Sequence, residues 1–438
     1  MTDISVSKRL LHFLENSPTA FQAVDSIKEE LEKSGFSRLQ EGQRWVLKKG
    51  GKYFTTRNGS SLIAFRIPKR TPAGFMITAS HADSPAFKIK TNPEIPADGY
   101  VKLNVEPYGG LLMYPWFDRP LSLAGRILVQ NGSSLNAIHV HMKKDLFLIP
   151  SVAIHMNPEA NNGHALNAQT DMLPVIGTEA AKGRLFRLIA EEAGVKENTI
   201  VAHDLYLYIR EAGRIWGACD EFISAPHLDD LQCSYANLHG FLQAESGNSI
   251  PVMAVFDNEE VGSLTKQGAG STFLEDTLWR ISEGVGLAPE QYRMLLASSF
   301  MISADNAHAV HPNHAEKSDP INRPHMNRGP VIKYNANQHY TTDAISAAVF
   351  KMLCRNLNIP FQEFTNRSDM RGGSTLGAIS NAHVSLHTVD IGLAQLAMHS
   401  CYETAGVKDT DYLIRILARF FASSFQADDG QHFMLKAK

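Results

Sequence analysis

The chemistry-bearing residues of this chain gather where apolar runs stop. Residues 252–256 form a valine-rich run that ends in Asp257, Asn258, Glu259 and Glu260 before Val261, Gly262 and Ser263. Residues 74–79 run into Ser80, His81, Ala82, Asp83, Ser84 and Pro85, and residues 300–303 into Ala304, Asp305 and Asn306. His399 lies in Met398-His399-Ser400, and Asp229 in Pro226-His227-Leu228-Asp229-Asp230-Leu231, at a predicted helix start. Two adjacent carboxylates at the end of a buried strand repel one another and resist desolvation unless a cation sits beside them. A metal ion resolves this: one glutamate binds it while its neighbour takes a proton from activated water. Histidine nitrogen with carboxylate oxygen and no cysteine suits catalytic zinc, cobalt or manganese better than a structural zinc. A single His-x-Asp or Glu-Glu pair is more often a cap or a solvated face, so the weight lies in several such groups all following apolar strands.

These residues need elements that bring them to one edge. Apolar residues recur at helical spacing over 6–15 and 19–33, with Ser17 and Pro18 as the cap and first-turn pair of the second helix. Residues 53–56 and 61–66 flank Asn58-Gly59 as a hairpin. Beyond Glu221 the pattern predicts a helix over 228–242, strands over 252–256 and 300–303, a helix over 342–357, a strand over 384–389 and a helix over 412–425. Such alternation predicts an α/β fold, a mixed sheet covered by helices on both faces, whose strand ends form the edge where sites are built. Residues 87–221 differ, with punctuation such as Pro93, Pro96, Gly109 and Gly110 and short β-like runs. They read as an inserted β-rich domain, leaving 1–86 and 222–438 as one discontinuous catalytic domain. The alternative is a single large domain with a loop-rich middle.

Bulk properties narrow the function classes. With 44% hydrophobic and 20% charged residues over 438 positions, the chain is of ordinary globular composition and long enough for two domains. A formal net charge of −3 gives no general attraction to nucleic acid or anionic lipid. Cys219, Cys233, Cys354 and Cys401 show no Cys-x-x-Cys spacing, which speaks against disulfides and thiolate zinc. The amino terminus has no basic segment followed by an apolar one, so a cytoplasmic location without membrane attachment is expected.

The runs Ser80-His81-Ala82-Asp83-Ser84-Pro85, Leu228-Asp229-Asp230, Asn258-Glu259-Glu260-Val261-Gly262-Ser263, Ser303-Ala304-Asp305-Asn306-Ala307-His308 and Ala397-Met398-His399-Ser400 resemble those of the M18 family of metallo-aminopeptidases, the aspartyl aminopeptidases and their relatives. Trp116-Phe117-Asp118-Arg119 and Gly329-Pro330-Val331-Ile332-Lys333 extend the resemblance across nearly the whole chain. The resemblance implies a zinc-peptidase-like fold and two divalent ions, zinc first and cobalt or manganese as alternatives. Asp229 would bridge them, with His81 and Asp305 completing one position and Glu260 and His399 the other. It further implies Asp83 on the second nitrogen of His81, Glu259 as general base, and Lys333 facing an acidic first side chain of a peptide. An inserted dimerisation domain, a tetrahedral dodecamer and His155 reaching into a neighbour's site belong to the same pattern.

Some positions depart from it: His227, Asp230, His339 and Arg371 stand where relatives often carry other residues, and they are expected to bring extra charge near the substrate pocket. His308, His311 and His314 are read as supporting or loop residues, and Trp45, Trp116, Trp216 and Trp279 as packing. Alternatives are an aminopeptidase for neutral residues, a two-metal deacylase or carboxypeptidase, and a silent peptide-binding scaffold. Retention of Glu259 with all five ligand candidates speaks against the scaffold.

Overall fold

Every residue of strand Phe75–His81 is buried, and so is every residue of Ile250–Phe256 and Phe300–Ala304. Continuous apolar runs of this kind are what strands covered on both faces require. A computed structural model describes residues 4–370, 372–428 and 430–436. In it these strands form the centre of a nine-stranded mixed sheet. Ile250–Phe256 pairs in parallel with Phe75–His81, which pairs in parallel with Phe300–Ala304, which pairs in parallel with His387–Gly392. Their carboxyl ends therefore open on one edge.

The alternation of side chains along each strand sorts them into two cores. Met76, Met253, Val255, Phe300 and Ile302 face one layer, with Leu10, Ile27, Leu231, Phe350 and Leu417 from the helices that cover it. Phe75, Ile77, Val252, Ala254 and Met301 face the other, against Phe273, Leu278, Ile281 and Leu295. That second layer is built by helices Phe273–Gly284 and Pro289–Ala297, which the sequence pattern did not single out.

Strands between Ala86 and Ile209 form a separate six-stranded antiparallel sheet with its own core around Phe87, Trp116, Leu123, Ile127 and Leu207. It includes one helix, Leu185–Ala193. A third, five-stranded sheet joins Arg214–Trp216 and Phe222–Ala225 to Glu403–Gly406, Ala394–Leu396 and Ala307–His308.

Several boundaries move. The strand expected over 384–389 is His387–Gly392, and the helix expected over 412–425 is Asp409–Phe421, because residues 424–428 pair instead with His432–Lys436. The second helix starts at Ala20 with Thr19 as its N-cap, so Ser17 and Pro18 precede the cap; the Ser17 hydroxyl donates to Ser26. The Asn58-Gly59 hairpin forms, with Arg57 opposite Ser61 and both turn residues at positive φ. Trp45 and Trp116 are buried, but Trp216 is 45% exposed while resting on Phe222. Arg371 lies outside the described residues.

Candidate active site

His81 ends the strand Phe75–His81; Glu259 and Glu260 follow Ile250–Phe256, and Asp305 follows Phe300–Ala304. Adjacent parallel strands thus deliver all four to one edge of the sheet. Asp229 comes from the opening of helix Leu228–Gln243, where Asp229 and Asp230 depart from helical φ/ψ and are joined by a cis peptide bond. His399 arrives from the third sheet, at φ 66 in the turn after Ala394–Leu396.

Their side chains converge. His81 Nε2 lies 3.6 Å from Asp229 Oδ1 and 3.8 Å from Asp305 Oδ1. His399 Nε2 lies 3.3 Å from Glu260 Oε2 and 3.8 Å from Asp229 Oδ2. One oxygen of Asp229 therefore faces each histidine. The histidine tautomers follow from their other nitrogens, since a carbonyl can only accept. His81 Nδ1 donates to the Asp83 carbonyl at 3.0 Å, and His399 Nδ1 to the Gly110 carbonyl at 2.9 Å. Both Nε2 lone pairs are left facing the carboxylates, the orientation that a metal ligand needs.

The fit to a cation rests on unmet charge. Among the described residues, Asp229 Oδ1 and Glu260 Oε1 are buried and receive no hydrogen bond. Buried anionic oxygens without donors are costly, and divalent cations are the usual remedy. His81, Asp229 and Glu260 present ligand atoms within 4.8 Å of one another, as do His81, Asp230 and Asp305. Burial, then the charge of Asp229, drives the Glu260 carboxyl well above its ordinary range. Glu259 is pushed up to about 8, first by burial and then by nearby carboxylates, with His81 opposing. Asp305 is held low in spite of its burial by the ammonium of Lys333, whose Nζ is 3.3 Å from Asp305 Oδ2.

Asp83 has more to do than the sequence suggested. Its carboxylate lies 3.4 Å from His81 Nδ1, but it also accepts from the backbone N–H of Glu259 and Glu260 and from the Tyr108 hydroxyl at 2.7 Å. It thereby holds the turn that carries both glutamates. Lys333, on strand Val331–Tyr334, is only 3% exposed and lies over the Tyr340 ring, so it is no solvated strand-end lysine. His155 sits in an exposed turn and takes part in neither ligand grouping.

Of the departures, His227 adds no charge: burial lowers its pKa to about 4, leaving it neutral. Asp230 is fully buried beneath the site, where it accepts the His81 backbone N–H and burial raises its pKa. These two correct the expectation of extra charge at the pocket. His311 and His314 face each other in an exposed loop, and His314 pairs with Glu316, whereas His308 packs against Phe364.

Two site residues were not foreseen. Tyr108 belongs to the inserted sheet, and Glu403 accepts the backbone N–H of both Asp229 and His399. Neither role has a local motif, because each consists of contacts to residues more than 20 positions away or to main chain. The one available signal for Glu403 was an acidic residue four positions after His399.

Residues 13–421 match the family described as aminopeptidase I zinc metalloprotease (M18). A protein named "Probable M18 family aminopeptidase 2" in Clostridium acetobutylicum is 46% identical over 428 residues, covering 96% of this chain and 99% of its own. Ape4, solved by cryo-EM in complex with Nbr1, is similar at 36% identity and TM-score 0.92, with 95% of this chain and 85% of that one covered. The S. cerevisiae mApe1 dodecamer is similar at 29% identity and TM-score 0.84, covering 95% and 96%. The chain belongs to the M18 family of aminopeptidases, which are metal-dependent peptide hydrolases.

Proposed function

We propose that this chain is a dinuclear aminopeptidase that removes the first residue of peptides and prefers Asp or Glu there. The observation that carries the reading is Asp229, with one oxygen toward each of two histidines whose other nitrogens are tied to carbonyls. His81 and Asp305 hold one ion in this reading, Glu260 and His399 the other, and zinc is the favoured metal over cobalt or manganese. Two such ions supply, when bound, activation of water near neutral pH and polarisation of the scissile carbonyl.

Glu259 accepts the proton of the attacking water and returns it to the leaving amine; a carboxyl pushed toward neutrality by burial is matched to that two-way task. Asp83 keeps Glu259 in place through its backbone N–H. The free amino group of the substrate binds near the metal positions, which restricts cleavage to the first bond. Lys333 receives an acidic first side chain in a charge-assisted contact that neutral residues cannot make.

Residues 87–221 act as a dimerisation domain and lid inserted in a catalytic domain of 1–86 and 222–438. Two features support assembly: the exposed Leu148, Val152, Ile154 and Met156 in this region, and the dodecameric state of the mApe1 relative. In the assembly, His155 enters the neighbouring subunit's site. We assign the protein to the cytoplasm; among the described residues no helix is long and apolar enough to cross a membrane.

The deciding experiment compares peptides that begin with Asp, Glu, Leu or Ala with their amino-acetylated forms, with and without a chelator. Release of the first residue, blocked by acetylation and by chelation and fastest for acidic residues, is expected. Equal cleavage of acetylated peptides would point to a deacylase or carboxypeptidase instead.

A further inference from the structure

Glu403 is 2% exposed, yet two residues of the site hang from it. Its Oε2 accepts the Asp229 N–H at 2.9 Å, and its Oε1 accepts the His399 N–H at 2.8 Å. Gln395 Nε2 reaches Oε1 at 3.4 Å, while Gln395 Oε1 accepts from Asn306 Nδ2 at 2.8 Å, next in sequence to Asp305. The same Asn306 amide donates to the Leu228 carbonyl, one residue before Asp229. A buried polar chain thus runs beneath the site from His399 to the residues flanking Asp229 and Asp305.

Neither backbone held by Glu403 belongs to a regular element at that point. Asp229 has φ −84 and ψ 110, outside the helix it opens, so its N–H has no place in the helical ladder. His399 adopts the left-handed region at φ 66, which a residue with a β-carbon occupies only when its surroundings fix it there. Two strained or irregular backbones that carry facing side chains need a common anchor. A carboxylate is the one side chain that offers an acceptor oxygen to each N–H at once; an amide would satisfy one and press its own N–H₂ against the other.

We infer that Glu403 is a positioning residue that sets the separation of Asp229 and His399, and with it the affinity for the ion held between Asp229, Glu260 and His399. The inference rests on the two-ion reading above. Residues that orient metal ligands from behind typically change metal affinity by about 10–100-fold when altered, without touching the metal.

The test uses full-length protein freed of metal and titrated with Zn²⁺ by calorimetry, alongside thermal melting and kinetics on an acidic peptide. Wild type is expected to take up two equivalents. Glu403→Gln, close to isosteric, is expected to weaken the equivalent held by Glu260 and His399 by about 10–100-fold and the other, which shares only Asp229 with it, by a smaller factor. Its kcat should fall and return in part at raised Zn²⁺, a rescue that a purely structural defect would not show. Glu403→Asp, which keeps both acceptor oxygens, should recover part of the affinity. Two unchanged equivalents in Glu403→Gln would overturn the positioning role while leaving the two-ion reading intact. Equal weakening of both, together with a lowered melting temperature in both variants, would reduce Glu403 to a fold residue. Fewer than two equivalents in wild type would remove the two-ion reading and this inference with it.

Discussion

Glu259 and Glu260 are neighbours in the chain but differ in what surrounds their carboxyls. Glu260 has one oxygen against His399 Nε2 and the other buried without a donor, whereas Glu259 is half-buried in the field of His81 and three carboxylates. Exchanging each for glutamine should therefore fail in a different way. Glu259→Gln is expected to retain metal and lose about 10²–10⁴ in kcat, while Glu260→Gln should lose affinity for one ion; metal analysis beside kinetics separates them. Loss of metal in both would overturn the division of roles. Lys333 serves two partners, Asp305 in the free protein and an acidic side chain in the proposed complex. Lys333→Ala should lower kcat/KM on every peptide through Asp305, and on acidic peptides by a further factor of about 10–100, the worth of a charged hydrogen bond. An equal loss on acidic and neutral peptides would confine Lys333 to supporting Asp305. Glu259, Glu260 and Asp305 were legible because each follows an apolar run, a pattern that short-range sequence retains, whereas Lys333 was singled out only by the family resemblance. The supports Glu403 and Tyr108 were not, since side chains that serve distant main chain or other sheets leave no spacing to read.

At the scale of elements, the inserted sheet is tied to the site by a short strap. Tyr108 donates to Asp83, Gly110 receives His399 Nδ1, and Leu112 donates its N–H to the His399 carbonyl. Gly109 adopts φ +73, a conformation strained for any residue with a β-carbon, and a β-carbon there would also lie a tight 3.1 Å from Glu260 Cβ. What holds this sheet's strands together includes a charge cluster on strand Ile200–Ile209, where Asp204 binds Lys88 and Arg126 from its two neighbours. Arg126 also donates to the Asn58 carbonyl in the catalytic layer. Burial pulls the Asp204 pKa upward, but the Arg126 hydrogen bond and the Lys88 charge outweigh it and hold the carboxyl below its usual range. A depressed carboxyl contributes stability that is present above its unfolded pKa and lost as pH falls through the folded one. Asp204→Asn should thus cost about 1 kcal/mol near pH 7, and the gap to wild type should close in denaturant titrations as pH falls below the ordinary aspartate range and through the lowered folded pKa. A gap that persists in acid would assign the loss to packing. The long strands and first two helices were readable from periodicity. The five-stranded sheet was not: its strands span two to four residues, and Phe222–Ala225 pairs with Glu403–Gly406 from the far end of the chain, so no local pattern could announce it. Helices Phe273–Gly284 and Pro289–Ala297 sit among Gly268, Gly270, Gly284 and Gly286, whose punctuation obscured a modest apolar stripe.

For the whole molecule, the question is whether one subunit completes the site of another. His155 is exposed, in the same region as Val152, Ile154 and Met156, which are 59%, 49% and 81% exposed. Large apolar side chains grouped this way on an otherwise ordinary surface mark a contact region between proteins. A two-fold contact is the arrangement that lets such a residue serve a partner's site, because each subunit then gives and receives the same group. Complementation distinguishes this from action within one chain. His155→Ala and Glu259→Gln are each expected to assemble and to be nearly inactive alone. In a mixed dimer, the subunit with intact Glu259 receives His155 from its Glu259→Gln partner, while the other site lacks both groups. Co-expression at equal levels pairs the two variants in half of the dimers, with one working site in each, so activity should return to about a quarter of wild type. If His155 served its own subunit, every chain in the mixture would still lack one essential group and no activity would return.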